Sequence, residues 1–172
     1  MQKWKNQLIF LGCVLVVTGC GKDNNSSIEA SSSPRISALE VSKPKFDRTN
    51  SIAGIDADNN GVRDDIDAYI NTQYQVASQK NAALQMARVI QKELLVSKTD
   101  ESAIKLVLLA EDRAVNCIYL KFDRNGPLKP AAVVGNIEYL TSNTKERKLA
   151  YLAFSKAADG TTSSIPDGDT CD

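Results

Sequence analysis

From residue 66 onward the apolar positions recur at helical spacing. Ile66, Tyr69, Ile70, Tyr74, Ala77, Leu84, Ala87, Ile90 and Leu94 follow mostly three- and four-residue steps, which predicts one long helix with a single apolar face. The stripe thins over Ser78 to Asn81, where the helix is expected to bend or lie exposed, and it runs out near Val96. Thr99 or Asp100 then offers an N-cap, with acids in the first turn of the next helix. That second helix reads from Glu101 to about Lys121, with Ile104, Val107, Leu108, Ala114, Val115 and Ile118 on one face. Leu106 and Leu109 widen that face, so this helix is expected to be the most buried. Glu111 interrupts the same stripe. A carboxylate there needs a partner, and Arg113 or another nearby base is the expected one.

Phe122 to Pro127 is dense in helix breakers and reads as a turn. Pro130 suits the first position of a third helix, running to about Leu140. Asn143 and Glu146 have the spacing of a capping box that opens a fourth helix, carrying Leu149, Leu152, Ala153 and Ala157. The tail from Asp159 has Gly160, Pro166 and Gly168 and no periodicity. Few strand patterns occur. The expected fold is all-α, a small bundle of about four helices.

The N-terminus has a different character. Lys3 and Lys5 precede an apolar run of ten, Leu8 to Val17, too short to span a bilayer. A basic region, a short apolar run and small residues at its end mark a secretory signal. The closing Val17-Thr18-Gly19-Cys20 resembles the bacterial lipobox, which implies that residues 1–19 are removed and that Cys20 carries acyl chains. On that reading the membrane is a partner through the lipid on Cys20, and Gly21 in the next position favours the outer membrane, facing the periplasm. Residues 20–45 are rich in Ser and Asn and poor in large apolar side chains, the composition of a flexible tether. Residues 46–172 then form the folded domain.

Charge and cysteine content narrow the function. Two lysines and no acid lie in residues 1–19, so the remaining 153 residues carry 19 basic and 21 acidic side chains. That balance gives nucleic acid no basic face to bind. Cys13 falls in the signal and Cys20 is the lipid site, leaving Cys117 and Cys171. In an oxidising compartment a disulfide between them is the simplest reading, with two free thiols as the alternative. The bridge would close a loop of about fifty residues and contribute about 3–4 kcal/mol.

The densest chemistry lies in GIDADNNGVRDDIDAYI, Gly54 to Ile70. Counted from Asp56, oxygen-bearing side chains fall at positions 1, 3, 5, 9 and 12: Asp56, Asp58, Asn60, Asp64 and Asp67, with Gly61 at 6. A hard cation such as calcium takes about six to eight oxygens, which a tight loop supplies from alternating side chains and a backbone carbonyl. Glycine at the sixth position permits the sharp turn, and a helix beginning near the ninth lets Asp64 and Asp67 project from one turn. Acids in a first helical turn also suit the helix dipole without any ion, and Asp-Asn-Asn-Gly makes a good turn unaided. That alternative leaves unexplained why Asp56 and Asp58 stand two residues apart just before the turn.

The pattern resembles the thrombospondin type-3 calcium repeats and the dockerin variant of the EF-hand, over about 12–15 residues. The resemblance implies calcium ligands from the side chains of Asp56, Asp58, Asn60 and Asp67, a carbonyl from Val62, and Asp64 directly or through water. It departs from the EF-hand in having Asp rather than Glu at position 12 and Arg63 at position 8, where paired hands place an apolar residue. A single unpaired loop of modest affinity is therefore expected.

Catalysis finds little support. The chain has no histidine, which removes Ser-His-Asp, Cys-His and His-ligated zinc chemistry. Glu93, Glu111, Asp112 and Glu138 could supply a carboxylate pair, but on helices a solvated or salt-bridged role is the default. The expectation is a non-enzymatic, lipid-anchored calcium-binding protein of the cell envelope, an interaction or structural module with a possible protein partner there. The alternative is an immunity or inhibitor lipoprotein that neutralises an envelope-targeted toxin.

Overall fold

A computed structural model describes residues 45–172; the signal segment 1–19, Cys20 and the tether up to residue 44 lie outside the described residues. Five helices occur in chain order: α1 (Asp64–Gln73), α2 (Ala77–Leu95), α3 (Glu101–Lys121), α4 (Pro130–Thr141) and α5 (Lys145–Ala157). Helix makes up 59% of the described residues and none of them is in a strand, so the fold is all-α with bundle-like packing.

The apolar stripe after the acidic loop forms two helices rather than one. The break falls at Tyr74–Val76, ahead of the expected thin stretch at Ser78 to Asn81. Tyr74 and Val76 are both extended, and Tyr74's ring is buried edge-on against Phe122 with centroids 5.4 Å apart. Aromatic and β-branched residues lose side-chain freedom in a helix, so the chain gives up little by leaving one there to seat that ring.

The most enclosed helix is α2, not α3. Ten of its residues are buried, and it packs against all four others. Ile66 and Ile70 of α1, Ala83, Met86 and Ile90 of α2, Ala114 and Ile118 of α3, and Val133 and Ile137 of α4 form the main core. A smaller cluster joins Ile104 and Val107 to Phe154 of α5. Leu106 and Leu109, expected to widen the buried face of α3, are 69% and 52% exposed. Leu149 and Leu152 of α5 also face outward, because that helix turns Arg147 and Phe154 inward instead.

Side-chain competition decides two caps. Asp100 accepts from the Ala103 N–H and starts α3. At α5 the cap is Thr144, whose Oγ1 accepts from the Arg147 N–H at 3.3 Å, rather than Asn143. The Asn143 side chain is already engaged, donating to the Asp47 carbonyl and accepting from Arg147.

Cys117 and Cys171 are joined by a disulfide, with their Cα atoms 4.9 Å apart. The bridge ends a strap. Asn116 donates to the carbonyls of Pro166 and Gly168, Thr170 donates to the Arg113 carbonyl at 2.7 Å, and Gln85 donates to the Thr170 carbonyl. Arg88 and Lys121 pair with Asp172 and Asp169. The tail without periodicity is thus ordered by α2 and α3.

Candidate metal centre

The acidic loop folds on its own backbone. Gly61 has φ +82° and Asn59 φ +57°, so two left-handed residues within three positions turn the chain sharply. Asp56 accepts from the N–H groups of Asn60 and Gly61, and Asp58 accepts from Asn60 N–H. The loop closes where the Asp64 N–H donates to the Ile55 carbonyl at 2.8 Å and Asp64 Oδ1 accepts from Ala57 N–H. At that point α1 begins, at the ninth loop position.

This closure brings carboxylate oxygens of Asp56, Asp58 and Asp64 within 4.8 Å of one another. Oxygens held by one calcium ion at 2.3–2.6 Å cannot stand more than about 5 Å apart, so the three fit a single ion. Asp58 and Asp64 are exposed and Asp56 half-buried, leaving the centre open to solvent. Asp67 joins through Asn60, whose Nδ2 donates to Asp58 at 3.0 Å and to Asp67 at 3.2 Å. Asn60 Oδ1 accepts from Val62 N–H at 2.7 Å. The amide N–H pair thereby stands between two carboxylates, where a cation would otherwise balance them. The Val62 side chain is buried under the loop in the main core.

The chain matches no family model, no curated protein and no solved structure.

Two fully buried arginines hold the loop to the bundle, and the sequence pattern gave them no role of this kind. Arg63, 1% exposed, pairs with Asp65 and donates to the Thr141 carbonyl at 3.1 Å, satisfying the last turn of α4. Arg147, 0% exposed, pairs with Asp47 at 2.8 Å and donates to the Asp47 carbonyl and Asn143. Asp65 closes the circuit by accepting from the Asp47 N–H at 2.8 Å. The Thr49 N–H, followed by Arg147, lowers the Asp47 pKa to about 2. Gly54 lies against the Arg63 stem with φ +68°, and a Cβ there would overlap Arg63 Cγ and Cδ. The signal was present in Gly54 and in an arginine at position 8, but only the fold shows that this arginine points inward.

The carboxylates considered for catalysis occupy a different place. Glu93 of α2 is 1% exposed, and its Oε1 has no hydrogen-bond partner among the described residues. Burial, then Glu111 and Glu138, raise its pKa to about 9, so it is neutral at pH 7. The default expectation of a solvated or paired carboxylate is therefore wrong for Glu93. For Glu111 the expected ion pair does not form among the described residues: Arg113 is exposed, Glu111 is half-buried, and burial raises its pKa. Glu138 does pair, with Lys148 at 3.4 Å. The nearby Lys98 ammonium is spent on the end of α2, donating to the carbonyls of Glu93, Leu94 and Val96.

Proposed function

We propose that residues 56–67 bind one calcium ion, which fixes the entry into α1 and so stabilises a non-enzymatic helical module. The observation that carries this reading is the convergence of Asp56, Asp58 and Asp64 within the span that one ion's ligand sphere allows. Asp67, Asn60 and the Val62 carbonyl complete the donor set. In that state Asn60 presents Oδ1 rather than Nδ2 to the centre. An all-oxygen donor set favours a hard cation, and a solvent-open loop that supplies ligands from alternating positions suits calcium better than the tight octahedron magnesium demands.

The role is structural because the loop carries no nucleophile or base besides its ligands, and Glu93 is sealed away from any substrate. With the lipobox-like segment at Cys20, the protein acts at the cell envelope, tethered to the outer membrane and facing the periplasm, where its helices meet a protein partner. Neutralisation of an envelope-targeted toxin is one such task.

Chelation tests the ion. Calcium at about a hundred times its Kd would add about 2.7 kcal/mol, which for a domain of this size raises Tm by roughly 8–12 °C. EDTA should lower Tm by that order and excess calcium should restore it. A Tm indifferent to both would leave the loop as a helix start with no ion.

A further inference from the structure

The chain contains two Asn-Gly pairs, Asn60-Gly61 in the acidic loop and Asn125-Gly126 in the turn between α3 and α4. An asparagine followed by glycine carries its own reagents. The glycine main-chain nitrogen can attack the asparagine Cγ, because no side chain on the glycine blocks the approach and its backbone turns easily into line. Whether the reaction runs depends on how firmly the fold holds the amide group and that nitrogen. The two pairs differ in both respects.

Asn60 is clamped. Its Nδ2 donates to Asp58 at 3.0 Å and to Asp67 at 3.2 Å, and its Oδ1 accepts from the Val62 N–H at 2.7 Å. The Gly61 N–H donates to Asp56 Oδ2 at 2.9 Å. Three of these four bonds end on carboxylates, which makes them the stronger class. The Asp56 carboxylate also opposes loss of the Gly61 proton, since a negative charge would then form beside its own. Asn125, by contrast, is exposed, and its side chain has no hydrogen-bond partner among the described residues. The Gly126 N–H donates to a neutral acceptor, the Asp123 carbonyl, at 3.1 Å. Breaking that one bond costs less than dismantling the loop.

We infer that Asn125 is a site of spontaneous deamidation, with water as the co-reactant, and that the acidic loop holds back the same reaction at Asn60. The Gly126 nitrogen gives its proton to a solvent base and bonds to Asn125 Cγ. The Cγ–Nδ2 bond breaks, and ammonia leaves with a proton taken from water. Water then opens the cyclic imide at either carbonyl, which leaves aspartate or isoaspartate. The product adds one negative charge to a chain whose formal net charge is +0. Isoaspartate also lengthens the main chain by a methylene in the turn that joins α3 to α4. None of this requires an ion in the loop.

Peptide mass spectrometry of the whole folded chain, held in mildly alkaline buffer made with heavy-oxygen water, reads both sites at once. EDTA in the buffer keeps Asn60 in its hydrogen-bonded state. Dividing each rate by the same site's rate in urea removes the influence of flanking sequence. Asn125 should take up heavy oxygen and yield isoaspartate as well as aspartate, while Asn60 should be protected at least about tenfold more than Asn125. Gly126→Ala should slow conversion at Asn125 and leave Asn60 as it was. Asp58→Ala, which removes two of the bonds to Asn60, should speed conversion there and leave Asn125 as it was. Equal protection of the two sites would overturn the inference, as would an Asn125 that converts in urea and not in the folded chain, or indifference to both substitutions.

Discussion

Arg147 and Glu93 put a buried cation and a buried acid in one small bundle, and the two are handled oppositely. Arg147 is paired with Asp47 and also donates to the Asp47 and Ile52 carbonyls and to Asn143 Oδ1. Removing one partner of such a pair strands the other, so Arg147→Ala should destabilise the fold by about 3–5 kcal/mol in urea unfolding. A cost under about 1 kcal/mol would mean that the clasp is only a surface pair. Among the described residues Glu93 has no counter-charge within hydrogen-bonding reach, and it keeps its proton. Its folded pKa, about 9, lies above the ordinary 4.5, so between those values the folded state holds a proton that the unfolded state has released. Stability from this group is therefore full below about pH 4.5 and declines as pH rises toward 9, by about 1.4 kcal/mol per pH unit. Glu93→Gln should abolish that slope, which urea unfolding from pH 5 to 9 would register as a flatter profile than wild type. Parallel profiles would show that Glu93 is solvated. Asp47 works in the other direction: its lowered pKa, about 2, supplies stability above the ordinary 3.8 that is lost as pH falls through 2.

At the level of elements, legibility tracked periodicity. The limits of α3 and α4 were readable because Asp100 and Pro130 are strong start signals and the intervening stripes are long. The break between α1 and α2 was not, because Ile66, Tyr69, Ile70, Tyr74 and Ala77 keep helical spacing straight through it. What ends α1 is the tertiary demand of the Tyr74 ring for Phe122, far along the chain. Asn143 misled for a similar reason: by spacing it is a good cap, yet Asp47 and Arg147 claim its side chain and Thr144 takes over. The acidic loop was the most legible element, since Asp56, Asp58, Gly61 and Asp64 act within a dozen residues and need no distant partner to be arranged. Its attachment to the bundle was illegible, because Arg63 reaches Thr141 and Arg147 reaches Asp47 across most of the domain.

Across the whole domain, stability is divided between the two clasps of the N-terminal segment and the strap of the C-terminal one. The bridge from Cys117 to Cys171 spans a sequence separation of 54. On the chain-entropy treatment that closure contributes about 4 kcal/mol, and a paired Cys117→Ala, Cys171→Ala variant should lose about that much in urea unfolding. A loss under about 1 kcal/mol would show that Asn116, Thr170 and Gln85 hold the strap without it. At the other end the loop hands the chain to α1 and Arg63 fastens it beneath α4, and this is where the proposed ion would act. Calorimetric titration of chelator-stripped protein with calcium reports on that end most directly. One ion should bind per chain, and Asp58→Asn should weaken binding at least about tenfold, as loss of a charged ligand does. Absence of heat, or equal titrations for wild type and variant, would contradict a calcium centre at Asp56, Asp58 and Asp64.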